Sequence, residues 1–296
     1  MTGKIPLRLN DFYQVNGTGT SFNINIKSCQ RRPKKYHDEL KLNATMIKDL
    51  ASGKIHIMYS GGIDSEYALD IFLSLGIQVI PVLIKLSNYN GYDVEHAEEF
   101  CLSKNLKHIC VDIDFDTFVE SGLFKDISDH AQCLSYQYPA LLHAMSKLDG
   151  TIIVGEFEPH FKKYDAWYLD EYERMFCLCT WYELNGLIGT PCFLNWSSET
   201  LLSFMNDGKI KGLLNNEYHS GRIGSNFLKN KIYNRYTYIK DRDKKDGYEN
   251  IRESEIFNHP DIQALARIKD DYSFQGNGYF KIDVNDLRKN LEKEIK

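Results

Sequence analysis

The eleven-residue stretch from Ile55 to Ser65 constrains this chain more than any other. Ile55-His56-Ile57-Met58-Tyr59 is a short, mainly apolar run that ends in Ser60-Gly61-Gly62. An amphipathic pattern starts at once, with Tyr67, Leu69, Ile71, Phe72 and Leu75 among its apolar positions. That order predicts strand, tight loop, helix. Two adjacent glycines open backbone angles closed to other residues and let an anion approach the main chain. The helix start adds unpaired N–H groups and the positive end of its dipole, so the loop is suited to phosphate. A Walker-type loop needs Lys-Ser/Thr after its last glycine, and Ile63-Asp64 stands there instead. The simpler alternative is an ordinary turn capped by Ser60 or Asp64.

The rest of the first half repeats this alternation. Strand 54–59 and helix 64–75 are followed by Gly76, strand 77–84, helix 94–102 and strand 107–112. A helix over 138–148 then turns at Asp149-Gly150 into strand 151–154. Continuous apolar strands separated by helices predict the α/β class, a parallel sheet with helices on both faces. Ligands of such sheets bind beyond the carboxyl ends of the strands, where Ser60 to Ser65 would lie. Residues 48–160 are read as this core, and 1–47 as a preamble holding a short strand at 22–26 and a helix from 36 to 50. Between them Arg31-Arg32-Pro33-Lys34-Lys35 reads as a solvated basic loop. Residues 161–258, with Trp167, Tyr172, Phe176 and Trp181, are read as a mostly helical extension that completes the active site. Residues 259–296 read as a tail with a charged helix near 287–293.

Composition narrows the classes. The 296 residues carry a formal charge of −5, which gives no support for broad nucleic-acid or anionic-membrane binding. No apolar run approaches the roughly 18 residues of a membrane span and no signal pattern opens the chain, so a soluble, cytoplasmic protein is expected. Seven cysteines (29, 101, 110, 133, 177, 179, 192) include no Cys-x-x-Cys, and most are expected to be small buried hydrophobes in a reducing compartment. Asp112-Ile113-Asp114-Phe115-Asp116 opens like a calcium loop, but Thr117 stands at the sixth position, where glycine is required. The nine histidines show no metal-ligand spacing.

Ser60-Gly61-Gly62-Ile63-Asp64-Ser65 matches Ser-Gly-Gly-x-Asp-Ser. It resembles the pyrophosphate loop, or PP-loop, of the N-type ATP pyrophosphatases, an adenine nucleotide alpha hydrolase-like group with a Rossmann-like sheet. Asparagine synthetases, NAD and GMP synthetases and tRNA-thiolating enzymes belong to it. The resemblance implies ATP and Mg²⁺ as cofactors, with AMP and pyrophosphate as products. Main-chain N–H groups over 61–65 and the hydroxyls of Ser60 and Ser65 would then hold the leaving pyrophosphate. Ile63 and Ile84 complete the nucleotide-binding set. Asp64 would repel bare phosphate, so its expected role is to help hold Mg²⁺. At an exposed helix start its removal is expected to cost only about 0.5–2 kcal/mol of stability.

The end of strand 151–154 reads Gly155-Glu156-Phe157-Glu158-Pro159. Asparagine and β-lactam synthetases carry Ser-Gly-Glu-Gly-x-Asp-Glu after the corresponding strand. The Gly-Glu pair is similar, whereas Phe157 replaces glycine and no Asp-Glu follows. Glu156 is a candidate catalytic carboxylate, and Glu158 is either a metal ligand or a solvated rim residue. Arg242-Asp243-Lys244-Lys245-Asp246-Gly247-Tyr248 resembles the late Arg-x-Lys-x-Gly-Phe stretch of asparagine synthetases, with one extra residue. Either Lys244 or Lys245 could supply the positive charge that adenylate formation wants, and Lys245 keeps the family spacing to Gly247. A solvated loop is the alternative.

Taken together, the resemblance implies an adenylating ligase of the asparagine-synthetase type that joins a carboxylate to an amine. With Met1-Thr2-Gly3 at its start and about 50 residues before the first core strand, the chain is expected to lack the glutaminase domain of those enzymes. Free ammonia, a partner glutaminase or another nucleophile would serve in its place. One alternative is a nucleobase- or nucleotide-modifying relative, such as a tRNA thiolase or a sulfonucleotide reductase. Its thiols are not evident, because Cys177 and Cys179 read as structural. Another is a non-catalytic adenine nucleotide-binding module, for which a damaged loop would be expected.

Overall fold

β3 (Ile55–Met58) is the middle strand of a five-stranded sheet, and all four of its residues are buried. The computed structural model describes residues 13–18, 21–155, 167–170, 172–210, 212, 225–233, 247–266 and 279–291. β1 (Tyr13–Thr18) and β2 (Ser21–Ile26) form an antiparallel pair ahead of α1 (Tyr36–Leu50). After β3 come α2 (Ile63–Ser74), β4 (Ile80–Leu86), α3 (Gly91–Ser103) and β5 (Ile109–Ile113). α4 (Phe115–Glu120), α5 (Leu123–Ala131) and α6 (Pro139–Met145) lead to β6 (Thr151–Val154). β7 (Trp167–Asp170), α7 (Tyr172–Leu184), β8 (Ile188–Thr190) and α8 (Ser198–Asn206) follow. The later elements are α9 (Ser225–Tyr233), α10 (Gly247–Arg252), β9 (Tyr279–Ile282) and α11 (Val284–Arg288).

The sheet order is β5-β4-β3-β6-β8, parallel throughout, so the expected α/β class is the observed one. Met58 pairs with Val82 on one side and Val154 on the other. Parallel crossovers are right-handed, which sets α2 and α3 on one face and α6 and α7 on the other. The chain first moves outward to β5 and then returns past β3 to β6. The strand order therefore reverses at β3, and a crevice opens beyond its carboxyl end.

Several boundaries differ from those expected, each for a local reason. β4 begins at Ile80, not at 77, because the Ile77 N–H closes α2 by donating to Phe72 O at 3.1 Å beyond a left-handed Gly76. Asp114 does not open a calcium loop. It caps α4, accepting the Thr117 N–H at 3.1 Å. The fifth strand, β8, comes from beyond residue 160, where the pattern predicts mainly helices and loops. β9, in the segment expected as a tail, pairs with β7, and the Cys29 N–H donates to Leu287 O on α11 at 2.9 Å.

The basic segment after β2 is not simply solvated. Arg31 makes a bidentate pair with Glu39 of α1, at 2.7 and 2.5 Å, and Glu39 is fully buried. Glu199 of α8 accepts the Gln30 N–H at 2.7 Å, so the segment pins α1 to α8 through two buried carboxylates. The cysteines are free thiols, six of them buried, and burial pushes Cys29 and Cys192 up to about 12. Among the described residues no helix is long and apolar enough to cross a membrane.

Burial holds His37, His56 and His143 below the ordinary imidazole value of 6.5. The unfolded chain therefore binds more protons than the folded one once the pH falls below that value, and stability drops on the acid side. Urea denaturation at about pH 7.5 and about pH 5.5 should give a lower midpoint at the acid pH, with an unchanged slope.

Candidate active site

The loop leaves the sheet with Tyr59, whose N–H donates to Val82 O at 2.8 Å. The Tyr59 hydroxyl donates to Glu66 Oε2 at 2.9 Å, clasping the loop from its two ends. Between them Gly61 takes a left-handed φ of 69°, which a side chain would resist. Gly62 is the N-cap of α2 and carries no side chain to cap it. Neither Ser60 nor Asp64 caps the helix. Instead the Ser60 and Ser65 hydroxyls lie 3.2 Å apart, Ser60 Oγ accepts the Gly62 N–H at 3.2 Å, and Ser65 donates to Gly62 O at 2.9 Å.

Gly155, at the end of β6, lies hard against this turn. A Cβ there would stand 2.8 Å from Ala68 Cβ and 3.0 Å from Ser65 Cα. The Gly of the Gly155-Glu156 pair is thus required by the approach of β6 to α2. Glu156 and Glu158 lie outside the described residues.

Asp64 is not an exposed helix-start residue. Its side chain is 20% exposed, and its two oxygens accept from Lys229 Nζ at 2.6 Å and from the Tyr233 hydroxyl at 2.7 Å. The docking follows helical spacing: Asp64 and Tyr67 share one face of α2, and Lys229 and Tyr233 one face of α9. Tyr233 stacks on Tyr67 with ring centroids 4.2 Å apart and planes at 16°. The Tyr67 hydroxyl in turn lies 3.1 Å from His37 Nδ1 on α1. Lys229, Tyr233 and Tyr67 were not legible as site residues, because 165 positions separate Lys229 from Asp64 and no motif marks it.

Beside the loop a cavity of about 220 Å³ opens at the carboxyl end of the sheet. Ser60 and Ser65 form its polar edge, and Val82, Ile84, Val94 and Leu141 are among its apolar walls. Asn90 shapes the β4 side, accepting the Leu86 N–H at 2.8 Å and donating to Ile84 O at 2.7 Å. The buried Asp93 also lines the cavity. α10 covers it. Tyr248 donates to Gln137 O at 2.6 Å, Asn250 to Tyr89 O at 2.5 Å, and Arg252 Nε to the Tyr136 hydroxyl at 2.5 Å. Gly247 lines the cavity too, and a Cβ there would meet Asn90 Cβ at 2.4 Å. Lys244 and Lys245 lie outside the described residues.

Ser60 and Ser65 thus share the cavity wall with Ile84, whereas Gly61, Gly62, Ile63 and Asp64 are not among its lining residues and Asp64 faces α9. Among the described residues no group of three or more His, Cys, Asp or Glu side chains could hold a metal ion. Asp64 alone would leave most of the coordination to phosphate oxygens and water, which is the common pattern for Mg²⁺.

No protein-family model matches this chain, and no curated protein matches it. Among solved structures the chain is similar to the NH3-dependent NAD synthetase from Campylobacter jejuni subsp. jejuni NCTC 11168 in complex with the nitrate ion. The identity is 14%, the match covers 81% of this chain and 94% of that one, and the TM-score is 0.29. That likeness is too slight to carry a functional argument, which rests on the loop and its cavity.

Two outcomes test this geometry. Gly155→Ala should lower stability by about 1–3 kcal/mol through overpacking, whereas Gly91→Ala, where the added methyl meets nothing within 4 Å, should not. Removing either Asp64 or Lys229 should cost on the order of 2–3 kcal/mol, below a fully buried pair because both retain some exposure. The double variant should lose less than the sum, and a urea double-mutant cycle reads that coupling.

Proposed function

We propose that this chain is an ATP-dependent ligase that activates a carboxylate as its adenylate and releases pyrophosphate. The supporting observation is the cavity that opens onto a loop with two convergent serine hydroxyls and an uncapped helix start. An apolar slot beside a phosphate-type loop suits a nucleotide, with the base in the slot and the phosphates on the loop. In this reading the N–H groups of the first α2 turn and the Ser60 and Ser65 hydroxyls donate to the leaving pyrophosphate. Ile84 is part of the wall against the base.

A carboxylate oxygen attacks the α-phosphorus of ATP, the bond from that phosphorus to the bridging oxygen breaks, and pyrophosphate carries the electron pair away. Ammonia or an amine then attacks the acyl carbon and AMP departs. Glu156, next in sequence after Gly155, is assigned to accept the proton that the nitrogen loses. Lys245 or Lys244 is assigned to offset charge on the α-phosphate. Asp64 and Glu158 would be the protein ligands of Mg²⁺ in this reading, and the ion would offset phosphate charge. Free ammonia or a partner glutaminase supplies the nitrogen. The finer likeness to asparagine synthetases rests on the partial motifs at Glu156 and Lys245. Sulfur transfer is disfavoured by the thiols, since a reactive cysteine needs a lowered pKa and burial pushes Cys29, Cys101, Cys179 and Cys192 up.

Incubation with α-labelled ATP, Mg²⁺, ammonium and pools of carboxylic acids should yield AMP and pyrophosphate in equal amounts. ADP as the sole nucleotide product in every condition that gives turnover would overturn the assignment.

A further inference from the structure

β5 is an edge strand. In the order β5-β4-β3-β6-β8 it pairs with β4 alone, and among the described residues no strand lies beyond it. The Ser87 N–H donates to Ile113 O at 3.1 Å, so the main chain of Ile113 faces β4. Main-chain groups alternate in direction along a strand. Ile109 and Val111 therefore also bond inward, whereas Cys110 and Asp112 turn their N–H and C=O groups outward. Ile109, Cys110 and Val111 are only half-buried and Asp112 is exposed, although every residue of β3 and β6 is buried.

Such an edge is usually blocked by a lysine, a proline or a bulge, and β5 carries none of them. Its one charge, Asp112, lies 4.0 Å from Lys85 on β4. The strand is also complementary to itself. Antiparallel pairing of two copies about a two-fold axis at Val111 sets Cys110 of one against Asp112 of the other. Each such couple exchanges both of its outward main-chain hydrogen bonds. On one face Val111 meets its own copy and Ile109 meets Ile113, an unbroken β-branched strip. That strip continues the row Val82, Ile84 and Leu86 of β4, with which the same three residues are in register. On the other face His108 comes opposite Asp114, an imidazole N–H against a carboxylate, once on each side of the axis. The two Asp112 carboxylates are only diagonal neighbours, and each keeps its own Lys85.

We propose that β5 is a homodimer interface, at which a second copy of this chain extends the sheet antiparallel about a two-fold axis through Val111. A contact of this isologous kind closes after two copies and covers both exposed edges at once.

Light scattering on the full chain across a concentration series should give twice the chain mass. Val111→Lys, which sets two ammonium groups on the axis, should return it to one, and circular dichroism checks that this variant keeps its sheet. Cross-linking gives a second readout. Val111 and its copy form a non-hydrogen-bonded pair with Cα atoms about 4.5 Å apart, inside the disulfide range of about 4.4–6.8 Å. With Cys110→Ser in place the six remaining cysteines are buried, so an added Val111→Cys is the accessible thiol. Under mild oxidation that protein should run as a covalent dimer. Lys48→Cys in the same background, exposed on α1, should stay monomeric, and so should the parent, whose Cys110 is offset by two residues from its copy. A single chain mass at every concentration overturns the proposal, as does a dimer that survives Val111→Lys with its sheet intact. So does disulfide formation at Val111→Cys no faster than at Lys48→Cys, which decides the matter even where Val111→Lys fails to fold.

Discussion

The two-sided pairing of β3 is the constraint on which the rest depends. A strand bonded to β4 on one side and β6 on the other has both faces under helices, so its residues are buried and continuous in character. Because the strand order reverses there, the turn after Met58 projects into the crevice between two diverging halves of the sheet. The loop cannot relax into either neighbour. Val82 O holds it at Tyr59, and Gly155 presses the first turn of α2 from the β6 side.

Electrostatics at this turn are arranged in two tiers. The inner tier is the helix start at Gly62, which has no side chain to cap it and whose N–H and C=O are held by the Ser60 and Ser65 hydroxyls. The outer tier is the charged pair of Asp64 and Lys229, brought in by a helix from the second half of the chain. A half-buried pair of this kind contributes little net stability, since desolvation offsets much of the attraction. Its value lies in fixing α9 against α2, which the stacked tyrosines reinforce. Packing and charge thus converge on one carboxylate, and removing it disturbs a helix interface as well as a site.

The cavity is closed by a different principle. α10 has only six residues and buries Gly247 and Ile251. It is held to the sheet domain by polar contacts to Gln137, Tyr89 and Tyr136 and by the close fit of Gly247 to Asn90. Contacts made by hydrogen bonds at the end of a short helix can be exchanged with solvent at small cost.

Much of this was readable from residues in sequence order. Local patterns carried the class of fold, since apolar runs at 55–58 and 151–154 and the helical spacing of 36–50 depend only on neighbours. The loop was legible for the same reason: glycines at 61 and 62 and serines at 60 and 65 act within one turn of chain. Only the tertiary structure decided what Asp64 touches, because its partners are 165 and 169 positions away and no local rule links an exposed-looking lysine to it. The same holds for Arg31, which is basic and loop-like in sequence yet paired with a buried glutamate in space. β8 escaped notice because three residues are too few to show a period, and only its pairing with β6 makes them a strand. Periodicity is a property of consecutive residues, whereas ion pairs and edge strands are properties of surfaces that meet only after folding.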